Sequence, residues 1–418
     1  MSHALQIFLK VLHNRIYRKC EANIQDTQFG FRGGTGTREA LFAIRVLVQN
    51  CRDVQKDVFL CFVDYEKAFD KVQHQKLIQV LRTTDVDEKD IRCIQSLYWH
   101  QSAHITTNNL TTDDIEIRRG VRQGCILSPL LFNLYSEAIF NETFEDEDTG
   151  IRVNGVYVNN IRYADDSVII ADTIEDLQQM IDRLNRTSNK YGLKVNSNKT
   201  KLMIISRRKV PYTHAQLLVD GVALERVSCY KYLGGWLNGD WEDEKEIRVR
   251  IEVARQYFFR FKNILTNRDI NLRLRMRYVR CYVWSVLLYG MESWTLKRSI
   301  INKLEAFEMW TYRRMLKVPW TDRVTNEEIL RRMEKDREIL LNVKKRKTAY
   351  FGHIMRSPKY RLLQLIVEGR IDGRRGVGRK QMSWLRNIRE WTGLRNIGDL
   401  VHTATNREAY ENVIANIH

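Results

Sequence analysis

Apolar side chains recur at helical spacing through residues 1–20, where Leu5, Phe8, Leu9, Leu12 and Ile16 share one predicted face. Residues 28–38 then break the pattern with a glycine-rich basic loop that opens a second helix, running to about residue 49. Residues 58–63 form a continuous apolar run of strand length, which predicts a strand buried on both faces. Helices are predicted at 75–81 and 90–100, and a short two-stranded region at 103–107 and 115–118. An apolar helix follows to about residue 144, with Ser128 as its N-cap and Pro129 at its first position. Two strand-like runs within 161–171 predict a hairpin with Asp165 and Asp166 at its tip. An amphipathic helix at 174–191 comes next, then strands at 193–196 and 201–205. A hairpin pairs 217–219 with 223–227 about Asp220-Gly221, and 230–237 reads as a further strand and turn. Past this point only helical periods remain, at 244–265, 270–288, 299–316, 325–333 and 336–355. The fold class is therefore α+β to about residue 240 and all-α beyond it, with the domain break at 240–245.

Composition sharpens this division. The chain has 418 residues, enough for two or three units, and a net charge of +18. From Lys245 onward there are 38 Lys and Arg against 18 Asp and Glu, whereas the first 244 residues hold 31 against 33. Such one-sided charge points to a polyanion, with nucleic acid the first expectation, rather than to a merely solubilising surface. Within 369–389 there are seven basic residues and one acid, and Gly373, Gly376 and Gly378 space out Arg374, Arg375, Arg379 and Lys380. Glycines there would let guanidinium groups reach phosphates from several directions. No apolar run approaches a membrane span, and the first twenty residues lack a secretory pattern. The seven cysteines are scattered, odd in number and never spaced as Cys-x-x-Cys, so the expectation is a reduced intracellular protein with no disulfide partner, membrane or zinc site.

The candidate chemistry begins with Asp165 and Asp166. Adjacent acids on a turn repel, and burying them without a counter-charge is costly, so either they are solvated or a cation sits there. Asp64 follows the buried strand 58–63, at the strand end where open α/β-type sheets place their ligands. Three carboxylates from two strands are what two Mg²⁺ ions need for phosphoryl transfer, with Mn²⁺ as a possible substitute. The glycine loop at 28–38 matches neither the Walker nor the dinucleotide pattern, and is either a phosphate cradle or a structural loop.

Taken in order, these residues resemble the reverse transcriptases of non-LTR (LINE-type) retrotransposons, of the animal type that also encodes an endonuclease. Phe62-Val63-Asp64 to Phe69-Asp70 is similar to polymerase motif A, Arg122-Gln123-Gly124 to Ser128-Pro129 to motif B, and Tyr163-Ala164-Asp165-Asp166 to motif C. Residues 192–201 resemble motif D, Tyr232-Leu233-Gly234 the primer grip of motif E, and Gln28-Phe29-Gly30-Phe31-Arg32 a fingers motif. The likeness covers most of residues 10–240 and is weaker through the basic tail. It implies a right-hand polymerase: partial fingers at 1–57, a palm with inserted fingers elements at 58–240, a helical thumb at 241–320 and a basic nucleic-acid-binding region at 321–418. It also implies residue roles. Asp64, Asp165 and Asp166 would ligate the metals, joined by the Tyr65 carbonyl, and Phe69 would be the steric gate that selects dNTPs. Gln123 and Gly124 would border the incoming nucleotide, while Lys199, or equally by sequence Lys201, would assist pyrophosphate departure. Tyr232, Leu233, Gly234 and the basic set Arg374, Arg375, Arg379 and Lys380 would hold an RNA template and DNA primer, and Arg32 and Arg38 would belong to the fingers. The family's endonuclease and first fingers segment have no counterpart before residue 10, and the sequence leaves open both readings, a fragment of a longer reading frame and a chain without those parts. The rival expectation is a catalytically inactive retroelement-derived protein that still binds RNA or DNA. An RNA-dependent RNA polymerase is disfavoured by Phe69, and group II intron-type or telomerase-type enzymes by motif B and the Tyr232-Leu233-Gly234 segment.

Overall fold

A computed structural model describes residues 2–99, 101–107, 110–145, 148–207, 212, 214–374 and 382–418. The chain divides into two compact units. One comprises Met1–Ala40, Val54–Ser228 and Arg370–Arg374; the other comprises Leu41–Asp53, Cys229–Gly369 and Arg375–His418.

The first unit opens with α1 (His3–Ala22), whose first turn is capped by Ser2 accepting from the Leu5 N–H at 3.3 Å. Leu9, Leu12, Ile16 and Cys20 form its buried stripe; Phe8, one residue off that register, is 46% exposed rather than sharing the face. After α2 (Thr37–Asp53), strand β1 (Val58–Val63) is buried at all six positions, as its unbroken apolar run requires. It is the middle strand of a five-stranded sheet whose other members come later in the chain. A short helix α3 (Ala68–Lys71) leads to α4 (His74–Arg82) and α5 (Glu88–Tyr98). Two small ladders follow, β2 (Ser102–Ala103) with β5 (Ile115–Glu116) and β3 (Thr106–Thr107) with β4 (Leu110–Thr111). Helix α6 (Ser128–Phe144) is nearly all buried. Ser128 is not its capping acceptor: it already lies inside the helix, and its hydroxyl donates to the Arg122 carbonyl at 2.6 Å.

Beyond the small hairpin β6 (Ile151–Val153) with β7 (Val156–Val158) comes the expected hairpin, β8 (Asn160–Tyr163) and β9 (Asp166–Ala171). Helix α7 (Ile174–Lys190) packs on it, and β10 (Lys201–Ile205) returns beside β1. The strand expected at 193–196 is absent; Val195 makes a single bridge to Tyr65, and the segment is otherwise spent reaching β10. The turn pair β11 (Leu218–Val219) and β12 (Val222–Ala223) precedes β13 (Glu225–Arg226), which completes the sheet order β13-β10-β1-β9-β8. Residues 370–374 return to this unit, where Ile371 bridges Val153.

In the second unit, β14 (Cys229–Tyr232) and β15 (Gly235–Asn238) form a hairpin ahead of α8 (Glu244–Arg260). The Trp236 N–H donates to Glu246 of α8 at 2.7 Å, and Arg45 of α2 donates to the Trp236 carbonyl and pairs with Asp243. These bonds tie the hairpin to the helical part, so the break expected at 240–245 falls instead between Ser228 and Cys229, and the second half of α2 leaves the segment expected to be fingers. The long helix expected at 270–288 is divided into α10 (Leu272–Tyr278), a π-helical stretch (Val279–Trp284) and α11 (Ser285–Leu287), after α9 (Lys262–Leu265). Next are α12 (Arg298–Leu316), α13 (Asn326–Met333), α14 (Ile339–Arg356), α15 (Arg361–Glu368), α16 (Trp384–Thr392), α17 (Ile397–Thr405) and α18 (Arg407–Ala415). Trp384 and Trp391 of α16 hold Lys347 of α14, whose ammonium lies 5.4 and 5.0 Å from their ring centres and donates to the Trp294 carbonyl. Burial pushes that lysine well below its usual range.

The first unit contains a fully buried ion pair. Arg162 of β8 donates to Glu137 of α6 at 3.1 Å and lies 4.3 Å from the Phe140 ring centre. Leaving one buried charge alone costs about 3–5 kcal/mol, whereas replacing both partners by apolar groups is often neutral. Glu137→Ala is therefore expected to lower unfolding free energy by about 3–5 kcal/mol in urea titrations, with Arg162→Met/Glu137→Leu recovering most of it.

Candidate catalytic site

The sheet register gathers the acids. Val63 of β1 pairs with Ser167 of β9, so one step further along the ladder Asp64 lies beside Asp166. Tyr163 pairs with Asp166 across the hairpin, leaving Ala164 and Asp165 as a two-residue turn. The Asp64 N–H donates to Thr200 Oγ1 at 3.2 Å, and its carbonyl accepts from the Asn196 N–H at 2.8 Å. The Glu66 N–H donates to the Lys194 carbonyl, so the bonds of this bridge come from the residues either side of Tyr65. The Tyr65 side chain points into the core, where its hydroxyl meets Ser188 and burial pushes the phenol up to about 12.

The turn is held from behind by a residue that motif reading placed only within a fingers segment. Ala164 has φ 57°, a left-handed conformation that costs a non-glycine residue roughly 1–2 kcal/mol. Fully buried Gln28 takes that strained peptide in hand: its Oε1 accepts from the Ala164 N–H at 2.8 Å and the Gly30 N–H at 2.9 Å, while its Nε2 donates to the Ala164 carbonyl. Gly30 has to be glycine, since a Cβ there would stand 2.5 Å from the Ala164 nitrogen. Asn133 of α6 donates to the Gly30 carbonyl at 2.7 Å, and the Phe29 N–H to the Arg162 carbonyl at 2.9 Å. No spacing or charge pattern in the sequence singled out Gln28, Asn133, Glu137 or Thr200; each acts through contacts made by distant segments.

Electrostatically the three acids are crowded. Burial, joined by the charge of Asp64, raises Asp165 above its ordinary value. Packing beneath the turn, then Asp165 and Asp64, push Asp166 up to about 6 although its surface reaches solvent. Asp64 Oδ1 is buried without a hydrogen-bond donor, and Lys199 Nζ stands 3.8 Å from it. An exposed contact of that length is worth about 0–1 kcal/mol and does not neutralise the cluster. The orphaned oxygen and the mutual repulsion fit a divalent cation. Among the described residues no three His, Cys, Asp or Glu side chains close around an ion by themselves.

The other candidate residues separate clearly. Phe69 stacks on Phe132 of α6, ring centres 4.3 Å apart at 16°, and its carbonyl accepts from the Val121 N–H, which joins it to the loop carrying Gln123. Gln123 and Gly124 are exposed, and Gly124 has φ 76° with open space where a Cβ would lie. Lys201, equal to Lys199 by sequence, turns away onto Glu225 at 2.6 Å. Arg32 is largely buried and donates to the Gln25 and Gln28 carbonyls, bracing the loop that holds Gln28. Arg38 pairs with its neighbour Glu39. Tyr232, Leu233 and Gly234 lie in the second unit, where the β14–β15 turn is pinned by Tyr289 and Arg250 donating to the Leu233 and Gly234 carbonyls. Arg374 is exposed in the first unit; Arg375, Arg379 and Lys380 lie outside the described residues.

A β-hairpin bearing two acids beside a third on the central strand defines a palm-type polymerase domain. Residues 1–237 match the family described as reverse transcriptase (RNA-dependent DNA polymerase), and the chain belongs to that family. Relatives include a transposon-derived protein of Caenorhabditis elegans, 30% identical over 57% of this chain and 87% of its own length. The Pol polyprotein of a type-1 R2 retrotransposable element from Nasonia vitripennis is 28% identical over 60% of this chain and 25% of its own. The RNA-directed DNA polymerase from mobile element jockey of Drosophila funebris is 23% identical over 76% and 35%. The chain thus spans a quarter to about a third of the latter two. The likeness to non-LTR reverse transcriptases read from the motifs holds. No helix among the described residues is long and apolar enough to cross a membrane.

An acid whose folded value is raised favours the protonated state, so its contribution to stability falls as pH rises from its ordinary value through the folded one. For Asp166 that window runs from 3.8 to about 6. In EDTA, Asp166→Asn is expected to raise the denaturant midpoint above wild type at pH 7.5 and to lose the advantage near pH 4.

Proposed function

We propose that the chain is an RNA-directed DNA polymerase of a non-LTR retrotransposon, adding dNTPs to a DNA 3′-hydroxyl on an RNA template. The observation that carries this reading is the register placing Asp64, with its orphaned oxygen, beside Asp166 at the start of β9, next to the Ala164–Asp165 turn. Asp64, Asp165 and Asp166, with the Tyr65 carbonyl, would hold two Mg²⁺ ions, which supply activation of the hydroxyl and neutralisation of the phosphates when bound. Everything else is positioning and charge. Lys199, 3.8 Å from Asp64, would donate to a departing pyrophosphate. The Phe69 ring, fixed on Phe132, forms a wall that would exclude a 2′-hydroxyl. Gln123 and Gly124 border the incoming nucleotide, the glycine permitting close backbone approach. The Tyr232-Leu233-Gly234 turn, the basic second unit and Arg374 engage the phosphates of primer and template.

The test is DNA-primer extension on an RNA template with Mg²⁺. Wild type is expected to extend, Asp165→Ala to fall by at least about 10²–10³-fold, the usual cost of losing one charge-stabilising group, and Phe69→Ala to gain NTP incorporation. Salt-sensitive binding with no wild-type extension above Asp165→Ala would refute the enzymatic reading in favour of an inactive binding protein.

A further inference from the structure

We propose that the end of α12 carries a binding site for single-stranded nucleic acid, built on Trp320 and separate in its residues from the carboxylate site. Trp320 is 82% exposed, an unusual setting for the largest side chain in a protein. It is nonetheless held in place. Helix α12 ends at left-handed Lys317, and the Val318 N–H bonds back to the Arg313 carbonyl at 3.0 Å. Pro319 then starts the short 3₁₀ turn Trp320–Asp322. The Arg313 guanidinium, fixed by bonds to the Val324 carbonyl and Asn326 at 2.7 and 3.0 Å, lies over the indole at 5.4 Å from its centre. One face of the ring is thus braced by a cation while most of the side chain remains open to solvent.

Beside it is a cleft of about 740 Å³, within the roughly 300–1,000 Å³ of small-ligand sites. Its walls are aromatic and basic. Half-buried Trp310 is packed by Phe258, Phe259 and Phe307, with Arg314 5.6 Å from its ring centre. Lys262, Arg314 and Lys317 line the same cleft and are exposed, and no carboxylate lines it among the described residues. Exposed rings beside unopposed cations match a strand whose bases stack while its phosphates are neutralised. A duplex hides its base faces and would use only the cations. An acidic peptide would likewise leave the rings without a role.

The experiment measures fluorescence anisotropy of short labelled single-stranded RNA, single-stranded DNA and a blunt duplex, using the full chain without added dNTP. Trp320→Ala is expected to weaken single-strand binding roughly tenfold, with Trp320→Phe restoring most of it and duplex binding unchanged. Arg314→Glu/Lys317→Glu is expected to reduce the slope of log affinity against log salt by about 1.4, the value for two phosphate contacts on a single strand. A halogenated-uracil oligonucleotide should photocrosslink to the peptide containing Trp320 whether or not polymerisation is seen. The RNA and DNA arms separate the two sources of strand. Unchanged single-strand affinity in both variants with no crosslink, or displacement of the strand by polyglutamate with Trp320→Ala silent, would overturn the proposal.

Discussion

Three carboxylates held together at one end of the sheet, with Lys199 3.8 Å from Asp64, are the constraint around which the first unit is built. Repulsion among Asp64, Asp165 and Asp166 works against the folded state, and hydrogen bonds of the backbone resist it. Asp64 sits at the end of a strand hydrogen-bonded on both sides, with Thr200 and Asn196 binding its own N–H and carbonyl. Asp165 follows an alanine in a conformation it would not otherwise choose, and Gln28 captures both polar groups of that alanine. Positions fixed in this way let a site receive cations and phosphates without rearranging, which is where electrostatic catalysis finds most of its advantage.

The support extends outward in layers. Gln28 can reach the turn because Gly30 lets its loop close on Ala164, and the loop is itself held by Asn133 and Arg32. The buried Arg162–Glu137 pair anchors β8 to α6, and the same helix supplies Phe132 under Phe69. One apolar helix therefore braces both the carboxylate hairpin and the proposed sugar gate. A change in α6 should be felt at both.

Much of this was legible along the chain. The run at 58–63 announces a central strand because burial on both faces forbids alternation, and the strand-like runs flanking Asp165-Asp166 announce the hairpin, although its turn is Ala164–Asp165 and Asp166 already pairs with Tyr163 in β9. Lys199 and Lys201 could not be told apart, since their difference lies in Glu225, brought alongside only by parallel pairing of β13 with β10. Ser128 does not cap α6 because the helix starts one residue earlier than its Ser-Pro signal suggests, so Ser128 already lies inside it. Gln28 was hidden because a buried glutamine acquires meaning only from the peptide it meets, here 136 residues away. The domain break shifted because Glu246 and Arg45 bind the β14–β15 hairpin, contacts that no local composition change reports.

We propose that this framework holds three like charges in place so that divalent cations can bind. Electron paramagnetic resonance of free Mn²⁺ during titration of the full chain tests it without requiring turnover. Saturable Mn²⁺ uptake by the wild type, competed by Mg²⁺, is expected, and so is its loss in Asp64→Asn and Asp165→Asn variants that retain the native circular dichroism spectrum. Uptake by the wild type no greater than that of a chain with all three aspartates changed to asparagine would contradict it.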